Sequence, residues 1–312
     1  MSGTALIGGY GADLLLGDPR RWHPVAGFGR VALALEGLMY VPTRGRGAVY
    51  AGTLVVLPAI AAETAARAAV RAGLGRHVVL AAVTWAALGG RSLTHEARRV
   101  VTHVEYGNLD AARRSLPALV GRDPSDLDEA QVCRAAVESV AENTCDAVLG
   151  PLLWGAVAGP AGVVAYRAAN TLDAMVGHRS ERYEEFGWAA ARLDDLMSWP
   201  PARCGAALAA LCSPLVGGSP STTWAAVGRD GSAHPSPNAG RMEAAFAGAL
   251  GLRLGGPLIY AGRAEHRPAL GDGRPPRATD IRRAVRLSLA VAALAAGFCA
   301  TARGARQWGV GR

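Results

Sequence analysis

The stretch with the most concentrated chemistry is RAAVESVAENTCD, Arg134 to Asp146. Arg134, Glu138, Glu142 and Asp146 recur at every fourth position. On an α-helix each such step drifts by about 40°, so the four side chains form one stripe. Neighbouring acids on a stripe repel and weaken the helix, so the stripe is either a solvated face or a place for cations. It runs directly into an apolar run beginning at Ala147. An acid at that depth needs an arginine or a divalent cation beside it. The tetrad Asn-Thr-x-Asp then occurs twice, as Asn143–Asp146 and Asn170–Asp173, with each Asp near one end of the same apolar run. Two readings fit: helix caps, for which these residue types satisfy free backbone N–H groups, or two polar ends of one site.

Three further segments mix reactive types. GHRSERYEEFGWAAARLDDLMSWPPAR, Gly177 to Arg203, carries Arg179, Arg182 and Arg192, which suit phosphate, and Asp194 and Asp195, which suit Mg2+. Local ion pairs between Glu181 or Glu184 and an arginine are the plainer reading, and surface pairs contribute little. In LLLGDPRRWHPVAGFGR, Leu14 to Arg30, Asp18-Pro19 turns the chain after an apolar helix. Trp22 fits an interface belt, and His23 could meet a substrate carboxylate or phosphate. In HPSPNAGRMEAAF, Pro235 and Pro237 stiffen a loop after His234, leading to a helix capped by Asn238. A loop feeding a helix N-terminus can cradle phosphate. Neither a G-x-x-x-x-G-K-[ST] loop nor a G-x-S-x-G elbow is present, so any ATP is held without a P-loop.

These groups need a scaffold, and six apolar stretches supply it: Thr4–Gly17, Ala48–Val70, His77–Gly90, Ala147–Ala169, Ala202–Gly218 and Val285–Ala302. A span needs about 20 apolar residues, so about four to six membrane segments are expected. Pro58, Pro151, Pro160 and Pro214 would bend them. Between them lie polar segments at about 91–146, 177–203, 228–240 and 263–283. Arg122–Val132 reads as a helix start with Ser125 or Asp126 as cap, and Glu265–Asp280 as a flexible connection. Strand alternation is lacking, so the expected fold is all-α: a single polytopic membrane helix bundle whose polar helical loops carry the site.

Composition agrees. Half of the 312 residues are hydrophobic, aromatics are 6% and charged residues 19%, below the roughly 25% of soluble domains. Small residues suit close helix packing in lipid. The net charge of +8 is carried by arginine and suits anionic headgroups or anionic substrates. The arginines are scattered without a reading helix or an aromatic platform, which argues against nucleic acid. The five cysteines lack C-x-x-C spacing and read as buried thiols rather than a zinc site or a disulfide framework. The N-terminus lacks a basic cluster and Asp13 interrupts its apolar run, unlike a secretory signal. Arginine-rich loops at 44–46, 91–114 and 263–286 would be cytoplasmic.

Five motifs in order, G-D-P…H-P-V, E-x-x-x-E-N-T-x-D, Y-R-x-x-N-T-L-D-x-M-x-G, E-R-x-x-x-F-G-x-x-A-A-R-L-D-D and H-P-S-P-N-x-G, span about Gly17 to Gly256. Together they resemble the CobD/CbiB family of cobalamin (vitamin B12) biosynthesis, the adenosylcobinamide-phosphate synthases. The sequence departs from the family pattern at Ala26 and Pro200, neither a chemically active position. The resemblance implies a multi-pass protein of the bacterial inner membrane with its site on the cytoplasmic side. It implies amide formation between adenosylcobyric acid, a corrinoid substrate, and aminopropanol or its O-phosphate, driven by ATP; other cobalamin-assembly enzymes would be neighbours. Carried onto this chain, the polar candidates are Asp18, His23, Glu138, Glu142, Asn143 and Asp146 from the first half. From the second half come Asn170, Asp173, Glu181, Arg182, Arg192, Asp194, Asp195, His234 and Asn238.

The chemistry suggests roles. Glu142, Asp146 and Asp173 are expected to hold Mg2+; Arg182 and Arg192 to meet phosphate; and Asp194 or Asp195 to take the amine proton, with Glu138 and His23 as further catalytic candidates. Asn143, Asn170, Glu181, His234, Asn238 and Asp18 are expected to bind substrate. Two other classes compete: an intramembrane Mg2+-dependent transferase of prenyl or phospho-alcohol type, and a non-catalytic scaffold for cobalamin enzymes. The transferase would be expected to carry two D-x-x-x-D-type runs, and a scaffold has no use for costly intramembrane acids.

Overall fold

The structure is a computed structural model that describes residues 2–18, 23–121, 124–260 and 263–310. In chain order the helices are α1 (Ser2–Leu16), α2 (Pro24–Met39), α3 (Arg44–Arg71), α4 (Arg76–Ala87), α5 (Gly90–Glu105) and α6 (Leu109–Ser115). They continue with α7 (Glu129–Thr144), α8 (Gly150–Leu172), α9 (Trp188–Cys212), α10 (Pro220–Asp230), α11 (Ala239–Leu250) and α12 (Ala278–Val310). Among the described residues the helical share is 78%, so the fold is all-α. Three of their helical runs are long and apolar enough to cross a membrane: Arg44–Arg71, the continuous run Glu129–Gly177, and Ala278–Ala305. The stretches expected around α1 and α4 form helices of 15 and 12 residues. At about 1.5 Å per residue both fall short of the roughly 30 Å hydrocarbon core.

The chain divides into two compact units. The first comprises residues 1–89, 146–198 and 295–312. Its core gathers Tyr50, Leu54 and Val55 of α3, Ala168, Ala169 and Leu172 of α8, and Phe186 and Ala190. Small residues let backbones meet here: a Cβ on Gly9 would lie 2.7 Å from Thr84, and one on Gly47 would lie 1.8 Å from the Phe186 carbonyl oxygen. Helix α8 is broken at Gly159 (φ 66°, ψ −147°) followed by Pro160. Proline has no N–H, so the helical donor of the Ala156 carbonyl is lost. Arg303 of α12 takes that place: its Nη1 donates to the Ala156 oxygen at 3.0 Å and also to the Gly155 oxygen at 2.8 Å.

The second unit comprises residues 90–145 and 199–294. Helix α5 buries Leu93, Ala97, Val100, Val101 and Val104, the helical spacing of one apolar face. Helix α7 starts one turn later than expected: Asp128, not Ser125 or Asp126, caps it in a reciprocal pair with Gln131. Pro124 and the turn after it hold the earlier candidates outside the helix. No strand is expected over 254–270, and Glu265–Asp280 is expected to be a flexible connection; instead β1 (Leu254–Tyr260) pairs antiparallel with β2 (Arg263–Leu270) as a hairpin. Its Gly-Gly-Pro start lacks strand propensity; two side chains of α7 fix it instead. Glu138 accepts from the Gly255 N–H at 2.8 Å, and Arg134 donates to the Gly255 carbonyl at 2.6 Å. Asp280, fully buried at the start of α12, is held by Arg274, Arg283 and the Arg277 N–H.

Candidate active site

In the first unit both polar ends of the apolar run meet. Asn170 on α8 donates through Nδ2 to Asp146 Oδ2 at 3.2 Å and to Asp194 Oδ1 of α9 at 3.2 Å. The two carboxylate oxygens therefore lie no farther apart than twice that distance. Ser198, buried one turn along α9, donates to Asp194 Oδ1 at 3.3 Å and sits 3.2 Å from the Tyr166 hydroxyl. Arg167 reaches Asn170 Oδ1 at 3.4 Å, and Asp146 and Asp18 lie within its electrostatic range. Arg167 and Thr171 are the polar members of a wall that otherwise consists of Pro24, Val25 and Phe28 of α2, Pro58 of α3, Ala82, Val83 and Trp85–Ala87 of α4, and Val164 and Ala168 of α8. They line an open apolar hollow of about 650 Å³. An apolar hollow with a few convergent polar groups is the usual form of a small-molecule site.

Both Asn-Thr-x-Asp tetrads end in a π-helical turn, Cys145–Leu149 and Asp173–Gly177. Neither tetrad caps a helix start. Thr144 instead donates to the Val140 carbonyl at 2.6 Å, and Thr171 to that of Arg167 at 2.7 Å. Such back-bonding competes with the helical ladder and bends helices, and π turns of this kind cluster at functional sites. Glu142 is exposed, whereas Asp146 is half-buried. Among the described residues no group of three His, Cys, Asp or Glu side chains is placed to hold a metal, so the expected trio Glu142, Asp146 and Asp173 is not assembled. What converges is the pair Asp146 and Asp194.

The other first-unit candidates lie around this cluster or elsewhere. His23 caps α2, its Nδ1 accepting from the Val25 N–H at 3.2 Å, and its Nε2 lies 3.9 Å from Asp18 Oδ2. Asp195 pairs loosely with Arg192 at 3.5 Å, and burial pushes its carboxyl above the ordinary range. Arg182, expected to face phosphate, is tied to buried Glu36 at 2.8 Å and lies over the Tyr40 ring at 4.2 Å. Tyr183 donates to the same Glu36 oxygen at 2.9 Å. Glu181 is exposed on the same segment. That clamp fastens Gly177–Gly187 to α2 and is structural.

The remaining candidates belong to the second unit. Glu138 is buried on the hairpin backbone, with Arg134 at 3.8 Å. Asn143 donates to the Ser139 carbonyl at 3.0 Å. Asn238 precedes α11 without capping it through its side chain; it accepts from Arg203 at 3.0 Å, while Ser236 Oγ takes the Ala239 N–H. His234 is buried, its Nδ1 accepts from the Ser236 N–H at 3.0 Å, and Nε2 faces Glu243 at 3.7 Å. Burial, with the nearby Arg267 charge, pushes the His234 pKa down to about 4.

Sequence reasoning passed over Arg167, Ser198, Tyr166 and Glu36. Two carried a signal: Arg167 is the one charge inside 147–169, and Glu36 the one acid in α2. An ionisable residue in such surroundings points to a functional or paired role.

The chain matches the CobD/Cbib protein family over residues 6–288. It is 52% identical to the cobalamin biosynthesis protein CobD of Mycobacterium tuberculosis over 287 residues, covering 91% of this chain and 90% of that one. It is 44% identical to the protein of the same name from Geobacter metallireducens over 296 residues, 92% of each chain, and 45% identical to that of Chromobacterium violaceum over 280 residues, 88% of each. No solved structure matches it. With a family match over nearly its whole length and relatives this similar end to end, the chain belongs to the CobD/Cbib family.

Proposed function

We propose that the chain is the amide-forming enzyme of late cobalamin assembly, joining aminopropanol or its O-phosphate to a carboxylate of adenosylcobyric acid at the expense of ATP. Membership of the CobD/Cbib family supports a role in cobalamin biosynthesis. The observation that carries the finer reading is the Asp146–Asn170–Asp194 cluster, linked through Arg167 to the apolar hollow. Three apolar helical runs support a membrane location; the inner membrane and a cytoplasmic-facing site belong to the proposal.

A carboxylate and an ammonium do not condense unaided. Phosphoryl transfer from ATP to the corrinoid carboxylate gives an acyl phosphate and ADP; the amine nitrogen then attacks the acyl carbon and phosphate departs. The amine must first lose a proton, and Asp194, held by Asn170 and Ser198, or Asp195, with its raised pKa, takes it. Asn170 keeps Asp146 and Asp194 in one place despite their like charge. Arg167 is the cation nearest the cluster and faces the negative charge that develops on phosphoryl oxygens. Asp146 and Asp194 are hard oxygen donors suited to Mg2+, which takes one or two carboxylates beside substrate phosphates and would offset that charge. Arg192 remains the arginine for a phosphate from the expected pair, since Arg182 is committed to Glu36.

The test is turnover in detergent or lipid with adenosylcobyric acid, aminopropanol or its phosphate, ATP and Mg2+, read by mass spectrometry. The amide mass, dependent on ATP, supports the ligase. A folded protein without that product, but consuming a prenyl diphosphate, would replace it with the transferase.

A further inference from the structure

A second hollow lies in the first unit, away from the cluster. It is a groove of about 420 Å³ between α3 and α8, lined by Val55, Val56, Ala59 and Ile60 of α3 and Ala161 and Ala165 of α8. Val56 and Ile60 are more than half exposed, on a helix apolar enough to cross a membrane. The groove ends at Glu63, Thr64 and Arg67. Glu63 is bound at both oxygens by Arg76, with Nη1 at 2.6 Å, and by Arg67 Nε at 3.3 Å. Arg71 follows Arg67 by one helical turn and is exposed on the same stripe. Three arginines against one acid leave two positive charges at the mouth of an apolar groove.

We infer that this groove is a binding site for an anionic phospholipid, with an acyl chain along Val56, Ala59, Ile60 and Ala161 and the phosphodiester on Arg67, Arg71 and Arg76. Three features converge on that occupant. The groove is open along its length, as a chain entering from the bilayer requires. It is apolar along the helix and cationic at the helix end, the order in which a lipid presents tail and headgroup. The cations sit at the end of a span, where basic clusters attract anionic headgroups. Glu63 does not oppose this: both its oxygens are occupied, and it fixes the guanidinium groups so that their remaining N–H donors can reach phosphate oxygens. A zwitterionic lipid offers the same tail without the net charge, and free phosphate offers the charge without the tail.

The experiment uses the full chain purified in detergent and delipidated. Native mass spectrometry and thermal unfolding are followed on adding phosphatidylglycerol, phosphatidylcholine or inorganic phosphate. Phosphatidylglycerol is expected to stay bound with a 1:1 component and to raise the unfolding temperature, phosphatidylcholine to bind at least tenfold more weakly, and phosphate to do nothing. Arg67→Gln with Arg71→Gln should abolish the preference, whereas Arg98→Gln with Arg99→Gln on α5, an equal loss of charge, should keep it. Ala59→Trp, which fills the groove and leaves every arginine, should also weaken phosphatidylglycerol binding. Equal retention of both lipids, the same stabilisation by phosphate, or unchanged binding in both the arginine and the tryptophan variants overturns the inference.

Discussion

Replacing Arg303 by alanine tests the account of the broken helix most sharply. Pro160 removes the helical donor of the Ala156 carbonyl, and Arg303 Nη1 supplies the substitute at 3.0 Å while also donating to the Gly155 carbonyl at 2.8 Å. A buried carbonyl left without a donor costs about 1–3 kcal/mol, so Arg303→Ala is expected to lose about 1–3 kcal/mol. That is a large part of the roughly 5–15 kcal/mol that holds a typical domain. The assay is denaturant unfolding in mixed micelles, followed by tryptophan fluorescence. The control is the double variant Gly159→Ala with Pro160→Ala, which restores the backbone N–H at position 160 and favours helical φ at position 159. In that background the Ala156 carbonyl has its own donor, and Arg303→Ala should cost under about 1 kcal/mol, near the few tenths expected for independent sites. An equal loss in both backgrounds would refute the carbonyl role and leave Arg303 as a packing or charge residue.

Four further outcomes follow from the same geometry. Asp194→Asn should lower amide formation by about 10²–10⁴-fold without moving the unfolding midpoint, read by quenched-flow mass spectrometry beside a melt. Glu138→Gln should retain turnover, because the amide oxygen still accepts from the Gly255 N–H; a loss as deep as that of Asp194→Asn would return Glu138 to the catalytic set. Gly150→Ala places a Cβ 2.0 Å from the Tyr166 ring; such overpacking costs about 1–3 kcal/mol, and it should lower turnover through the Tyr166–Ser198–Asp194 chain. His234 has a folded pKa of about 4 against an ordinary 6.5, so the native state resists protonation. Its contribution is complete above about pH 6.5 and is lost as pH falls through about 4, at most roughly 3 kcal/mol. His234→Asn should flatten stability between those pH values in urea titrations, and an unchanged slope would refute the assignment.

The sequence made the helical class legible, because long Ala- and Leu-rich runs with few charges favour helices, and it located the polar segments between them. It also marked Asp146, Asn170 and Asp194, since such residues stand out against apolar neighbours. Their grouping was beyond it. Asp146 and Asn170 are 24 residues apart, as are Asn170 and Asp194; a helical period relates only residues within a few turns, and the π turns after each tetrad shift even that register. The same limit bears on the metal expectation: four-residue spacing relates Glu142 to Asp146 only along a regular α-helix, and a π turn, Cys145–Leu149, begins between them. Arg182 looked like a phosphate ligand until tertiary packing brought Glu36, 146 residues away, against it. The hairpin of β1 and β2 was illegible because its Gly-Gly-Pro start lacks strand propensity, and the Gly255 backbone is instead held by Arg134 and Glu138 of α7. Residue type and periodicity fix what a segment can be; which distant carboxylate, arginine or carbonyl completes it is decided only when the chain packs.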